Sequence, residues 1–201
     1  LRYTILPDNI GYIYVPSFSS SIGEGNLDEC LYALALCRGL IIDVRSNGGG
    51  NLNYAETLAA RFTNERVLTG YICHKTGPGH SDFSSPEATY LDSSDRLRWQ
   101  KPVCVLTNRG SYSATNDFVK MMRQLPRVTV VGDRTGGGSG LPFSSELPNG
   151  WGVRFSASPH LDAEKNHIEF GIEPDIKIDL TSLTLHDDII EEARKTLKNM
   201  Q

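Results

Sequence analysis

The sequence lacks most of the features that mark the commoner ligand classes. No apolar run approaches the roughly 20 residues a membrane-crossing helix needs. The longest, Leu31 to Cys37, falls well short. There is no block of lysine and arginine and no interleaving of basic with aromatic residues, and the formal net charge is -4. A nucleic-acid partner is therefore not expected. Cysteines are few, Cys30, Cys37, Cys73 and Cys104, and none forms a C-x-x-C pair, which argues against a zinc site. Three lie inside apolar runs, where a thiol packs as a small hydrophobe. A nucleophilic cysteine needs a histidine partner. Only Cys73 has one adjacent, His74, and neighbouring strand residues point to opposite faces. Glycine-rich stretches are present, but no lysine followed by serine or threonine closes one as a phosphate loop, and none has the Gly-x-Gly-x-x-Gly spacing. No metal and no nucleotide or flavin cofactor is expected.

What is present is ordinary globular material. Of the 201 residues, 39 % are hydrophobic and 22 % charged, enough for one α/β domain and short for two. Strand and helix signals alternate. Ile10 to Val15 reads as a strand closed by Pro16. Asn26 is placed to cap a helix with Leu27, Cys30, Leu31, Leu34 and Cys37 at helical spacing, ended by Gly39. Leu40 to Val44 follows, with the continuous apolar character of a strand buried on both faces of a parallel sheet. Asn51 precedes a second helix carrying Leu52, Ala55, Leu58, Ala59 and Phe62 on one face. Val67 to Cys73 reads as a strand, residues 76–95 as a long polar loop, Pro102 to Thr107 as a strand, Ser113 to Leu125 as a helix and Val128 to Val131 as a strand. Pro148-Asn149-Gly150 lies between alternating segments, a hairpin signal. Ile176 to Ile178 and an amphipathic helix from Asp187 to Met200 complete the chain. The result is a parallel α/β core with an antiparallel appendage.

Two loops carry the candidate chemistry. Both follow the carboxyl end of a predicted parallel strand, where open α/β sheets bind ligands. The first is Asp43-Val44-Arg45-Ser46-Asn47-Gly48-Gly49-Gly50-Asn51. Its glycines allow a close approach of backbone to ligand, and N–H groups before a helix favour an anion. The second runs from Thr107 through Ser111-Tyr112-Ser113-Ala114 to Asp117. Ser113 stands at a helix N-terminus, where a serine is commonly a plain cap. The same place suits a nucleophile, because the helix dipole and free N–H groups stabilise negative charge developing there.

The blocks Gly39 to Gly50 and Val105 to Thr115 resemble the tail-specific (C-terminal processing) protease family. They are also similar to the core of tricorn protease and to the repeats of interphotoreceptor retinoid-binding protein. Val130 to Gly137 and Ile168 to Asp175 extend the likeness in the family's order. The resemblance implies a crotonase-like spiral of ββα units with a small antiparallel β appendage, over 1–201 as a single catalytic-serine domain. It implies Ser113 as the nucleophile. It places an oxyanion hole at the N–H of Ala114 with that of Gly49 or Gly50, and makes Glu169 a second catalytic residue.

The sequence departs from the bacterial pattern at one point. Gly138 stands where that branch carries its lysine base, so a Ser–Lys dyad is not expected and the tricorn-like Ser-His-Ser-Glu arrangement is the nearer likeness. Its histidine would lie upstream of Ile10, outside this chain, as would any PDZ-like module. A serine hydroxyl needs such a base. Of His74, His80, His160, His167 and His186, His80 in the long loop is the best internal substitute, while His160 and His167 flank the hairpin with no special claim. The expected activity is endopeptidase action through an acyl-enzyme, weak in these 201 residues alone. The alternative is a non-catalytic peptide- or ligand-binding module on the same fold. The expected partner is a polypeptide substrate, with a homo-oligomer compatible with the chain. The resemblance implies an extracytoplasmic site, periplasm or cell envelope.

Overall fold

The computed structural model describes residues 1–20, 22–178 and 187–200. In chain order the elements are β1 (Arg2–Leu6), β2 (Ile10–Tyr14), α1 (Glu24–Ala33), β3 (Gly39–Asp43), α2 (Leu52–Ala59), β4 (Val67–Ile72), β5 (Glu87–Leu91), β6 (Val103–Thr107), α3 (Ala114–Arg123), β7 (Val128–Gly132), β8 (Pro142–Glu146), β9 (Gly152–Ser156), β10 (His160–Leu161), β11 (Ile176–Lys177) and α4 (Asp188–Asn199). The main sheet runs β1-β2-β3-β6-β7-β11. Its first pair is antiparallel and the remaining pairs are parallel.

β3 and β6 are buried at every position, and the alternation along them shows why. Leu40, Ile42, Val103 and Val105 enter the large core with α1, α2 and α3. Ile41, Cys104 and Leu106 point the other way, under Ile189, Ala193 and Leu197 of α4. A strand covered on both faces has no polar side to show, hence its continuous apolar run. The two strands are neighbours: Leu40 to Asp43 pair in parallel with Val103 to Leu106. The loops that follow both strands therefore leave the sheet side by side, and this juxtaposition positions the site.

Several expectations need correcting. α1 begins at Glu24 behind Gly23, which makes no side-chain cap bond, so Asn26 lies inside the first turn. The apolar face read from that helix is nevertheless buried throughout. Gly39 opens β3 instead of ending a helix. Residues 76–95 contain β5, which pairs antiparallel with β4 across an irregularity between Leu68 and Gly70. The hairpin forms as β8 and β9. Its turn is closed by Leu147 N–H donating to Trp151 O at 2.8 Å, with Gly150 at φ +84 inside it.

Asn51 caps α2 as expected, its Oδ1 accepting from Asn53 N at 2.9 Å. Asp187 caps α4 in the same way through Ile190 N, at 3.2 Å. All four cysteines are free and buried. Burial pushes the thiols of Cys30 and Cys104 up to about 12, which keeps them protonated and inert.

Candidate active site

Ser113 sits where β6 has ended and α3 begins. Its hydroxyl does not cap the helix. The backbone there has φ 59 and ψ -124, a left-handed conformation that costs a non-glycine residue about 1–3 kcal/mol. The surroundings enforce it. Ser113 N–H donates to Gly137 O at 2.8 Å, and Asp117 N–H donates to Ser113 O at 3.1 Å. Both backbone groups of the serine are thus fixed. Its half-buried side chain has no hydrogen-bond partner among the described residues and opens into a cleft of about 550 Å³. Gly48, Gly50, Tyr112, Gly138, Arg154, Ser156 and Glu169 also line that cleft.

The glycine loop is locked to the serine loop. Ser111 Oγ donates to Val44 O at 2.9 Å. Ser46 N–H donates to Asn108 Oδ1 at 2.8 Å, and Tyr112 N–H donates to Asn47 O at 3.0 Å. Gly49 packs against the Ser113 loop so closely that a β-carbon on it would lie 2.8 Å from Ser113 Cβ and 3.0 Å from Ala114 N. No side chain fits there. The Gly49 N–H donates to Asn47 Oδ1 at 3.0 Å. The N–H groups of Gly50 and Ala114 have no acceptor among the described residues. Arg45, in the same loop, is drawn away by Asp43 and Asp187 at 2.6 and 2.7 Å. Against the cost of its burial, those carboxylates raise its pKa further.

Glu169 reaches the same cleft from a turn and is half-buried there. Its Oε1 accepts from Ser156 Oγ at 2.9 Å, a partner that no local motif singles out. Behind both stands Asn116. Its Nδ2 donates to Ser139 Oγ at 2.9 Å and to Ile168 O at 3.0 Å, and its Oδ1 accepts from Thr135 Oγ1 at 2.6 Å. Thr135 Oγ1 in turn accepts from Ile172 N at 2.6 Å. Asn116, in the first turn of α3, therefore ties the helix behind Ser113 to the segment carrying Glu169.

Among the described residues lining the cleft there is neither histidine nor lysine. A β-carbon on Gly138 would overlap the Tyr112 ring, so the place of the missing lysine is filled by an aromatic face. His80 is exposed in the 76–95 segment, its carbonyl beside Lys75 Nζ at 3.4 Å. It does not line the cleft, which corrects its candidacy as base. His186 lies outside the described residues.

His160 is the surprise. It is buried, with Nδ1 2.7 Å from Asp117 Oδ1 and Nε2 unpartnered. This resembles the Asp–His half of a catalytic triad, but the ring does not reach the Ser113 cleft. Burial alone would raise the Asp117 carboxyl. His160, Lys120 and the Ser139 hydroxyl outweigh it and hold the group below the usual range. The pair braces α3 against β10. Among the described residues no group of three or more metal-ligating side chains occurs, and no helix is long and apolar enough to cross a membrane.

A serine at a strained turn beyond a parallel strand, with glycine backbone packed beside it, is an arrangement suited to a nucleophile. Residues 9–178 match Peptidase family S41, and the chain belongs to that family. A crystal structure of a candidate peptidase from Parabacteroides merdae superposes with a TM-score of 0.94 at 59 % identity, over 97 % of this chain and 63 % of that one. The carboxy-terminal processing protease CtpA of Bacillus subtilis is 26 % identical over 86 % of this chain and 36 % of its own length. The chloroplastic C-terminal processing peptidase of Tetradesmus obliquus is 29 % identical over 85 % of this chain and 35 % of its own. The chain thus spans about a third of the length of these two curated relatives.

Proposed function

We propose that this chain is the nucleophile-bearing domain of a serine endopeptidase that hydrolyses peptide bonds through an acyl-enzyme on Ser113. The observation that carries the reading is the strained Ser113 backbone, which presents an unpartnered hydroxyl to a cleft. Strain of this kind persists where the surroundings over-determine it. In the proposed mechanism Ser113 Oγ attacks the scissile carbonyl. The developing oxyanion is met by the N–H groups of Ala114 and Gly50. Gly49, whose N–H is committed to Asn47, contributes by letting the two loops approach. Glu169, held by Ser156, orients and stabilises the base. That base is a histidine outside these 201 residues, a reading supported by the absence of histidine and lysine from the described cleft lining.

The same reading takes the strand and helix order as a crotonase-like spiral, the 201 residues as a single domain, and the setting as extracytoplasmic. The substrate is a polypeptide, consistent with the two processing proteases it resembles. The test is hydrolysis of an unfolded protein substrate by the full-length protein and by its Ser113→Ala variant. Turnover in the parent, lost in the variant, supports the proposal. Substrate binding without turnover in either would favour the second reading, a peptide-binding module, for which the missing base is the supporting observation.

A further inference from the structure

We infer that Arg154 is a specificity residue that recognises a carboxylate on the substrate, close to the scissile bond. The inference rests on the peptidase reading, which places a peptide in the cleft with its scissile bond at Ser113. β9 alternates, so Arg154 shares a face with Ser156, and the Ser156 hydroxyl is in the cleft, bonded to Glu169 at 2.9 Å. Arg154 itself lines that cleft with Ser113. Across the hairpin it faces Ser144, which offers no charge. Glu146 stands diagonally beyond, with no ion pair between them among the described residues.

The other arginines of the neighbouring loops are occupied. Arg45 is held by Asp43 and Asp187, Arg109 by Asp133 at 3.0 Å, and Arg134 by Glu173 at 3.5 Å. Arg154 has no carboxylate partner among the described residues. The one carboxylate lining the cleft, Glu169, is turned to Ser156. A guanidinium fork left open beside a nucleophile matches a carboxylate in geometry and charge. Two sources supply that chemistry: an acidic side chain near the cleavage point, or the α-carboxylate of a chain end.

Binding in the full-length Ser113→Ala protein separates this from catalysis. The probe is a fluorescein-labelled ten-residue peptide, apolar at its other positions, in four forms. It ends in a free acid or an amide, and carries Glu or Gln near its centre. Fluorescence anisotropy is expected to show about tenfold weaker binding when the recognised carboxylate is removed, as for a lost charged hydrogen bond. The pair that responds, acid against amide or Glu against Gln, identifies the source. Arg154→Ala on the same background should flatten the preference, and Arg154→Glu should reverse it. Arg154 is exposed on a hairpin, and matching thermal melts confirm that each variant folds. Equal binding of all four peptides by the parent overturns the inference, as does a preference that survives Arg154→Glu. Failure of the peptidase reading looks different: no Ser113-dependent turnover in the wild type, with the carboxylate preference intact.

Discussion

Replacing Asn116 by alanine removes three buried hydrogen bonds at once. The residue is fully buried. The consequences at its partners are unequal. Ile168 O still accepts from Gly171 N–H at 3.0 Å, and the Ser139 hydroxyl still acts on the Asp117 carboxylate, whose pKa it helps to lower. The Thr135 hydroxyl loses its acceptor outright, although it keeps the bond from Ile172 N. Three bonds at roughly 1 kcal/mol each, with some addition for the orphaned hydroxyl, give a loss of about 3–4 kcal/mol. In a chain of this size that lowers the melting midpoint by about 10 °C.

Asn116→Asp is the sharper variant. It keeps the volume and the acceptor for Thr135, yet cannot donate to Ser139 or to Ile168 O, and it sets a second carboxylate near Asp117. It should be at least as destabilised as Asn116→Ala above pH 5. Urea unfolding at neutral pH measures both. An Asn116→Asp protein within about 1 kcal/mol of wild type would refute the claim that this side chain joins the nucleophile helix to the Glu169 segment.

Three other outcomes follow from the same structure. Gly50 has φ +141, and a β-carbon there would overlap the Phe18–Ser19 peptide, so Gly50→Ala should cut hydrolysis by the full-length protein at least about 10²-fold; an unchanged rate would remove Gly50 from the oxyanion site. Arg61 is fully buried and paired with Glu24 and Asp28, and because both carboxylates reach solvent, Arg61→Ala should cost about 3 kcal/mol in urea unfolding, at the lower end for a broken buried pair; a loss below about 1 kcal/mol would contradict this. Asp117 is held below its ordinary pKa by His160, Lys120 and Ser139, so its contribution is present above about pH 4 and lost as pH falls through the lowered folded value; a pH series of urea midpoints should show a flattened acid limb in Asp117→Asn, and an identical limb would contradict it.

How much of this was legible in the sequence depended on whether the signal was local. β3 and β6 could be read because burial on both faces leaves a continuous apolar run, and their loops then fell together. β5 could not, since Glu87–Leu91 is mostly exposed and looks like the polar segment around it. Ser113 has the local look of a cap, and only its backbone angles show that the hydroxyl is turned elsewhere. The choice between Gly49 and Gly50 hinged on Asn47, whose side chain claims one N–H and leaves the other. His160 and Asp117 are 43 residues apart, and Ser156 and Glu169 meet only because the hairpin folds back over the cleft. Such pairs carry no sequence periodicity. Ser158-Pro159-His160-Leu161 is no apolar run, so nothing local marks His160 as buried.

The central claim is that Ser113 is an activated nucleophile, and labelling with a fluorophosphonate probe tests it most directly. The full-length protein should form a covalent adduct that mass spectrometry maps to Ser113, and the Ser113→Ala protein should form none. Residues 1–201 alone should label far more slowly, because with the base removed a serine protease retains only about 10³–10⁴-fold acceleration over water from its oxyanion donors and binding. No adduct on the full-length protein, or one that persists in Ser113→Ala, would contradict the account.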